Sequence, residues 1–110
     1  KNFYKSGNKK FDEGDYQGAI ADYMKAIEID PEYATAYDNL GINKGLSKDY
    51  RGAISDFNKS IEIDPKVGSV YLNRGIAREL AKDLQGACDD WRKALDLGEE
   101  NAAKWIEEQC

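Results

Sequence analysis

The 110-residue sequence has no histidine, only two prolines and two cysteines, and no long apolar run. Without histidine, the commonest general base and metal ligand is missing. No stretch of about 18 or more apolar residues occurs, so the sequence predicts no membrane insertion. Of the cysteines, Cys88 lies within a helical pattern and Cys110 ends the chain. Neither their number nor their spacing suggests a disulfide framework or a metal site.

The net charge of −5 comes without any concentrated block of lysine or arginine. Nucleic acids and anionic membrane surfaces are bound through such cations, so both classes of partner are disfavoured. The chain begins with Lys1 rather than Met, so it could be an excerpt or a processed form, and a missing leader says little about the compartment. The compartment therefore stays open, with a weak preference for the cytoplasm.

Catalytic motifs are missing as well: no P-loop, Rossmann, nucleophile-elbow or zinc-protease pattern occurs. The adjacent carboxylates Asp89 and Asp90 would project about 100° apart on a helix, which makes them a poor acid/base pair. Cys88 has the register of Ile20 and Ile54, so we interpret it as a small buried hydrophobe, and we expect Cys110 to be exposed. The sequence therefore predicts no enzyme, no cofactor and no metal.

What the sequence does contain is one segment that occurs three times. GAISDFNKSIEIDP at 52–65 corresponds to GAIADYMKAIEIDP at 18–31 and to GACDDWRKALDLG at 86–98, each 34 residues away. A fixed period through a whole chain marks a repeat array, in which one unit cannot bury its apolar face alone and stacked units can.

Within each unit, apolar residues at steps of three and four predict two helices. The predicted helices of the first two units span residues 2–13, 16–29, 34–47 and 50–63; the third unit repeats them, and a last helix ends near residue 109. Asp15, Asp49 and Asp83 are predicted N-caps, because a side-chain oxygen there can accept a free backbone N–H. The helical glycines Gly7, Gly41 and Gly75 recur one period apart, which predicts close helix–helix contact.

These residues resemble the tetratricopeptide repeat, with its 34-residue W-x2-L-G-x2-Y…A-x3-F…P pattern. The middle unit carries the signature at Tyr37, Leu40, Gly41, Ala53, Phe57 and Pro65. The resemblance implies an all-α, right-handed solenoid of three helix-turn-helix repeats at about 1–33, 34–67 and 68–98. A capping helix at about 99–109 would close the stack.

One departure from the family pattern recurs in every unit. The tyrosine three residues after the glycine is replaced by Lys10, Lys44 and Arg78. In one interpretation their aliphatic stems cover the core and send the charge outward. In the other, they form a basic rail for an acidic partner.

The resemblance also implies a concave groove, lined by the first helix of each unit, that takes a peptide or a partner helix. The predicted peptide-binding residues are Tyr4, Asn8, Phe11, Asn39, Ile42, Leu72, Asn73 and Ile76; Lys1, Asp12, Thr35, Asp38, Ser69 and Glu79 would lie in or near the groove. Alternatively, neighbouring helices bury the apolar members in part.

Some relatives hold a carboxylate-ended peptide with a clamp of Lys, Asn, Asn, Lys and Arg. Asn8 and Asn39 match the two asparagines, but Tyr4, Ser69 and Asn73 stand at the cationic positions. A clamp needs charge-assisted donors, so the resemblance does not extend to carboxylate-clamp binding.

We therefore predict a protein–protein interaction module that binds another protein or peptide, works as a monomer and has no chemistry of its own. The alternative is a structural unit that self-associates through its N-terminal end, where Phe3, Tyr23 and Ile27 would have no preceding repeat to cover them.

Overall fold

The computed structural model describes residues 2–110, and these form seven α-helices. In chain order they are α1 (Phe3–Asp12), α2 (Tyr16–Ile29), α3 (Ala34–Leu46), α4 (Tyr50–Ile63), α5 (Gly68–Leu80), α6 (Leu84–Asp96) and α7 (Asn101–Gln109). Each helix packs against the next, and α3 also touches α5, in a body of 44 × 25 × 20 Å. The predicted all-α solenoid is confirmed. None of the described helices has the length and apolarity needed to cross a membrane.

The second helix of each pair begins at the predicted aspartate cap. Asp15, Asp49 and Asp83 each accept a hydrogen bond from the backbone N–H three residues later, at 2.9, 3.0 and 2.9 Å. At the other end, α2 and α4 stop one residue before Asp30-Pro31 and Asp64-Pro65. The residue before a proline avoids helical geometry, which sets these boundaries. Local sequence therefore sets the ends of these helices.

The turn inside each pair contains one residue with a left-handed backbone. That residue is Gly14 in the first pair (φ 81°), Lys48 in the second (φ 69°) and Lys82 in the third (φ 74°). Glycine adopts this conformation freely, whereas a residue with a Cβ does so at a cost. The second and third turns are therefore strained where the first is not.

Replacing Lys48 or Lys82 with glycine is expected to raise the free energy of unfolding by about 0.5 kcal/mol each. Relief of the left-handed strain should exceed the added chain entropy, and both lysines are exposed, so no packing is lost. Urea denaturation measures the change. Gly14→Ala is the matched reverse variant and should lose about 1 kcal/mol; a loss of stability in Lys82→Gly would contradict the explanation.

The three helical glycines lie where the two helices of each pair meet. A Cβ added at Gly7, Gly41 or Gly75 would approach the ring of Tyr23, Phe57 or Trp91 to 2.6, 2.6 and 2.5 Å respectively. These distances are far below van der Waals contact, so only glycine lets the aromatic ring approach the first helix this closely. The predicted close contact is confirmed, and it is made by equivalent residues in each pair.

The most deeply buried ring of each pair lies at equivalent positions, packed among alanines and a few other apolar side chains. Tyr23, Phe57 and Trp91 are 1%, 2% and 1% exposed. The last ring is covered by α7, where Ala102 is fully buried and Trp105 contacts Trp91 edge-on at 5.5 Å between ring centroids. As predicted, α7 covers the apolar end of the third pair.

The cysteines differ from the sequence prediction. Cys88 on α6 and Cys110 after α7 form a disulfide, with their Cα atoms 6.0 Å apart. Cys88 is buried as expected, but neither residue is a free thiol. The turn between α6 and α7 brings together two residues that are 22 apart in sequence, and spacing alone does not reveal this approach.

Candidate functional site

Inside each helix pair, a cation on the first helix meets a buried aspartate on the second. Lys10 lies 2.9 Å from Asp22, Lys44 lies 2.9 Å from Asp56, and Arg78 lies 2.9 Å from Asp90. The three aspartates are only 6%, 9% and 3% exposed. These cations therefore turn their charge toward buried carboxylates, which contradicts both the outward-charge interpretation and the basic rail.

The three aspartates differ in their remaining partners. Asp22 also accepts a hydrogen bond from Ser6 Oγ at 2.6 Å, and this bond, together with Lys10, lowers the pKa of the Asp22 carboxyl. In the second pair Leu40 occupies the register of Ser6 and offers no donor. Burial therefore raises the pKa of Asp56, against the opposing effect of Lys44.

Asp90 is the most heavily bonded of the three aspartates. Its carboxylate accepts from Arg74 Nε at 2.9 Å and from Arg74 Nη2 at 2.6 Å, and Arg78 Nη1 adds a third bond at 2.9 Å. Arg74 stands where the family signature has leucine. This departure from the signature therefore makes a structural ion pair. The charges of Arg74 and Arg78 are both used to bind the Asp90 carboxylate.

The other side of α1 and α3 carries a polar network among predicted groove residues. Asn39 Nδ2 donates to Tyr4 at 3.0 Å and to Asn8 Oδ1 at 3.2 Å, while Tyr23 Oη donates to the same Asn8 oxygen at 2.5 Å. Asn8 and Asn39 are thus oriented by other residues of the chain. The network joins the first helix pair to the second along the predicted groove.

A hydrogen bond between α3 and α5 extends this polar network from the second helix pair to the third. Asn73 Nδ2 donates to Asp38 Oδ1 at 3.3 Å, and Asp38 is half-buried. Burial raises the pKa of the Asp38 carboxyl, and the Asn73 amide offsets this only in part. In the described part of the chain, none of the ion pairs involves Asp38.

Three pockets open along this side of the molecule, and they occupy corresponding places in successive pairs. The N-terminal pocket is lined by Asn8, Phe11, Asp12, Tyr23, Asn39, Ile42 and Asn43. The middle pocket is lined by Ile42, Gly45, Leu46, Tyr50, Phe57, Asn73, Ile76, Ala77 and Leu80. The C-terminal pocket is lined by Ile76, Glu79, Trp91, Trp105, Glu108 and Gln109.

The correspondence among the pockets follows the sequence period. Moving the N-terminal lining 34 residues along the chain gives seven of the middle residues: Ile42, Gly45, Leu46, Phe57, Asn73, Ile76 and Ala77. A further 34 residues gives Ile76, Glu79 and Trp91 of the C-terminal pocket, where α7 takes the place of a fourth pair. The buried ring of each pair thus forms the floor of one pocket.

The predicted site residues divide between these pockets and the surrounding core. Six line one of these three pockets: Asn8, Phe11, Asn39, Ile42, Asn73 and Ile76. Leu72 packs against the core between α5 and α6, and Tyr4 lies against Tyr33 at 4.9 Å between ring centroids. Lys1 lies outside the described residues.

The sequence reasoning missed Asn43, which is 1% exposed and lines the N-terminal pocket. Its Nδ2 donates to the Asn39 carbonyl at 2.8 Å, whereas its Oδ1 has no hydrogen-bond partner within residues 2–110. The sequence does contain a signal for Asn43. Asn43 and Ala77 are one period apart, and a polar residue at a position that another repeat fills with a small core residue is unusual.

Two sequence families match overlapping parts of the chain. One, described as TPR repeat, matches residues 7–42, and the other, described as Tetratricopeptide repeat, matches residues 34–67. No curated protein sequence matches significantly.

Solved structures with the same fold extend this similarity over the whole chain. The first TPR of Spaghetti (RPAP3), bound to the HSP90 peptide SRMEEVD, superposes with a TM-score of 0.92 at 27% identity, over 96% of this chain and 86% of that one. The second TPR domain of human RPAP3, in complex with the HSP70 peptide SGPTIEEVD, gives 0.91 at 27% identity, over 97% and 91%. The Arabidopsis OM64 TPR domain gives 0.91 at 31% identity, over 96% and 88%.

Proposed function

Because this chain belongs to the tetratricopeptide repeat family, we propose that it binds a peptide segment of another protein along the face that carries the three pockets. One observation carries the proposal: Leu46 and Leu80 line the middle pocket, yet they are 51% and 48% exposed. Apolar side chains left open at a concave surface are typical of a binding site. The structurally similar RPAP3 domains were solved with peptides bound, which supports the same role here.

The proposed mechanism is preorganisation without chemistry. Asn8, Asn39 and Asn73 are already held by hydrogen bonds, so the partner bears most of the ordering cost on binding. The repeats we propose are those at about 1–33, 34–67 and 68–98, with the cap at about 99–109. We propose a monomer with no enzymatic activity, no nucleic-acid partner and no carboxylate clamp.

Self-association through the N-terminal end is less well supported by the geometry. Tyr23, one of the three residues expected to be uncovered there, is 1% exposed. The ammonium group of Lys25 lies over the Phe3 ring, 5.3 Å from its centroid. Ile27 is partly buried against the core cluster that contains Tyr23. The apolar surface at this end is therefore smaller than the sequence suggested.

The double variant Leu46→Asp/Leu80→Asp is expected to abolish retention of a partner in a pull-down from a cell extract. Both side chains are about half exposed, so the melting temperature should fall only slightly. Met24→Asp/Leu95→Asp is the matched control, since these residues are 55% and 38% exposed and line none of the three pockets. Equal retention by both double variants would contradict the proposal.

A further inference from the structure

The three pockets have the same place in the repeat but different chemistry. The middle pocket, of about 230 Å³, is lined almost entirely by aliphatic and aromatic side chains; its polar side-chain groups are the Asn73 amide and the Tyr50 hydroxyl, and none of its side chains is charged. The pockets on either side, each of about 350 Å³, carry side chains with free acceptor oxygens. An apolar centre between two acceptor-rich flanks restricts the kind of peptide that fits.

The charged groups lining the pockets all have one sign. They are Asp12 in the N-terminal pocket and Glu79 and Glu108 in the C-terminal pocket; among the described residues, no lysine or arginine lines any of the three. The basic residues that recur at one position of every repeat, Lys10, Lys44 and Arg78, are paired with buried aspartates. The face therefore presents a negative potential to an incoming peptide.

The N-terminal pocket has two acceptors suited to a cationic side chain. Asp12 is exposed, and Asn43 Oδ1 is buried without a hydrogen-bond partner in the described chain. A buried acceptor left unmatched is costly, so a ligand N–H that reached it would be strongly favoured. Lysine and arginine supply several N–H donors together with a positive charge.

The C-terminal pocket combines acidic groups with an aromatic wall. Trp105 is only partly buried and lies edge-on to Trp91, while Glu79 and Glu108 line the same pocket. A cation placed over an indole face is attracted by the ring, and neighbouring carboxylates add to that attraction. This pocket suits a lysine or an arginine better than an acidic or aliphatic side chain.

Asp38 adds a further carboxylate between these flanks, and none of the ion pairs among the described residues involves it. It is half-buried, and it accepts a hydrogen bond from the neutral amide of Asn73. Burial raises the pKa of this carboxyl, and the hydrogen bond from Asn73 opposes the shift only in part. A basic ligand would supply a cation to pair with it.

We infer that the groove selects a basic peptide segment of another protein, with an aliphatic side chain for the middle pocket and lysine or arginine for the pockets on either side. The inference rests on the proposed function and specifies its ligand. It is opposite in charge to the SRMEEVD and SGPTIEEVD peptides found in similar structures. Acidic side chains placed against Asp12, Glu79 or Glu108 would be repelled, which adds discrimination.

The test is selection of a fully randomised peptide library on the immobilised chain, followed by fluorescence anisotropy with the enriched peptides. We expect enrichment of sequences with an aliphatic residue flanked by lysine or arginine, with affinity that falls as salt rises. Glu79→Gln/Glu108→Gln should weaken their binding by about tenfold or more. Glu28→Gln/Glu32→Gln is the matched control: it removes the same charge at exposed positions outside the three pockets and should leave affinity unchanged.

The outcomes separate the ligand class from the function itself. Enrichment of acidic peptides that Leu46→Asp/Leu80→Asp abolishes, or saturable binding of synthetic SRMEEVD, would overturn the basic-peptide inference and leave the proposed function standing. Equal weakening by the two glutamate double variants would show general charge attraction and overturn the inference as well. Failure to enrich any peptide sensitive to Leu46→Asp/Leu80→Asp would overturn both.

Discussion

Replacing Asp90 with alanine is expected to lower the free energy of unfolding by about 3 kcal/mol, one of the largest effects of a single substitution in this chain. Asp90 is 3% exposed and accepts three hydrogen bonds from Arg74 and Arg78. Its removal leaves two guanidinium groups without their carboxylate. Because these side chains are 16% and 25% exposed, water compensates in part, which places the loss at the lower end for a broken buried pair.

Equilibrium denaturation in guanidinium chloride measures this loss, and the other two pairs supply matched variants. Asp22→Ala should cost less, since Asp22 is bonded to one cation and one hydroxyl. Asp56→Ala should cost least, because burial already disfavours its charged form. An equal loss in all three variants would show that the differing partners do not matter and would contradict this explanation.

Removing the disulfide by Cys110→Ser is expected to destabilise the chain by about 3 kcal/mol, since the bond closes a loop across 22 residues of sequence. Cys110 is exposed, so the substitution removes the crosslink with little loss of packing. The cap α7 should then fray first and expose Trp105. Tryptophan fluorescence during denaturation follows this step.

A reducing agent should reproduce the effect in the wild-type chain and have no effect on Cys110→Ser. Two titratable thiols in the folded, unreduced protein would contradict the pairing. Such bonds persist mainly in oxidising environments, so the weak preference for the cytoplasm drawn from the sequence loses its support.

The fold could be predicted from the sequence because its determinants are local and periodic. The second helix of each pair begins at an aspartate cap, and each glycine–aromatic contact recurs one period further along the chain. Agreement among three copies fixes the register, as for Gly7, Gly41 and Gly75. The helix starts and the glycine–aromatic contacts are therefore predictable from the sequence.

The ion pairs were also periodic, yet the sequence reasoning missed them. Lys10, Lys44 and Arg78 are each followed 12 residues later by the aspartate with which they pair, so both sets recur at the same interval. The ion pairs can be recognised only once the packing of the two helices is known. From sequence alone a lysine is expected to be exposed, because nothing shows that a buried carboxylate lies beside it.

Other features occur once and have no repeat to reveal them. The disulfide depends on how α7 folds back on α6, and the chemistry of the pockets depends on which polar groups already satisfy one another. Asn8 and Asn39, which the sequence predicts in the groove, line the N-terminal pocket, but their bonds to Tyr4 and Tyr23 could be seen only in three dimensions. The hydrogen bonds among the residues that line the pockets are therefore not predictable from the sequence.

The most direct test of the central claim is an NMR titration of the chain with the peptide that is most enriched in the selection. If the groove binds it, shifts should concentrate on the methyl groups of Ile42, Leu46 and Ile76 and on the side-chain amides of Asn8 and Asn73. The outer surfaces of α2 and α6, reported by Met24 and Leu95, should stay unchanged. Shifts confined to those outer helices would contradict the account.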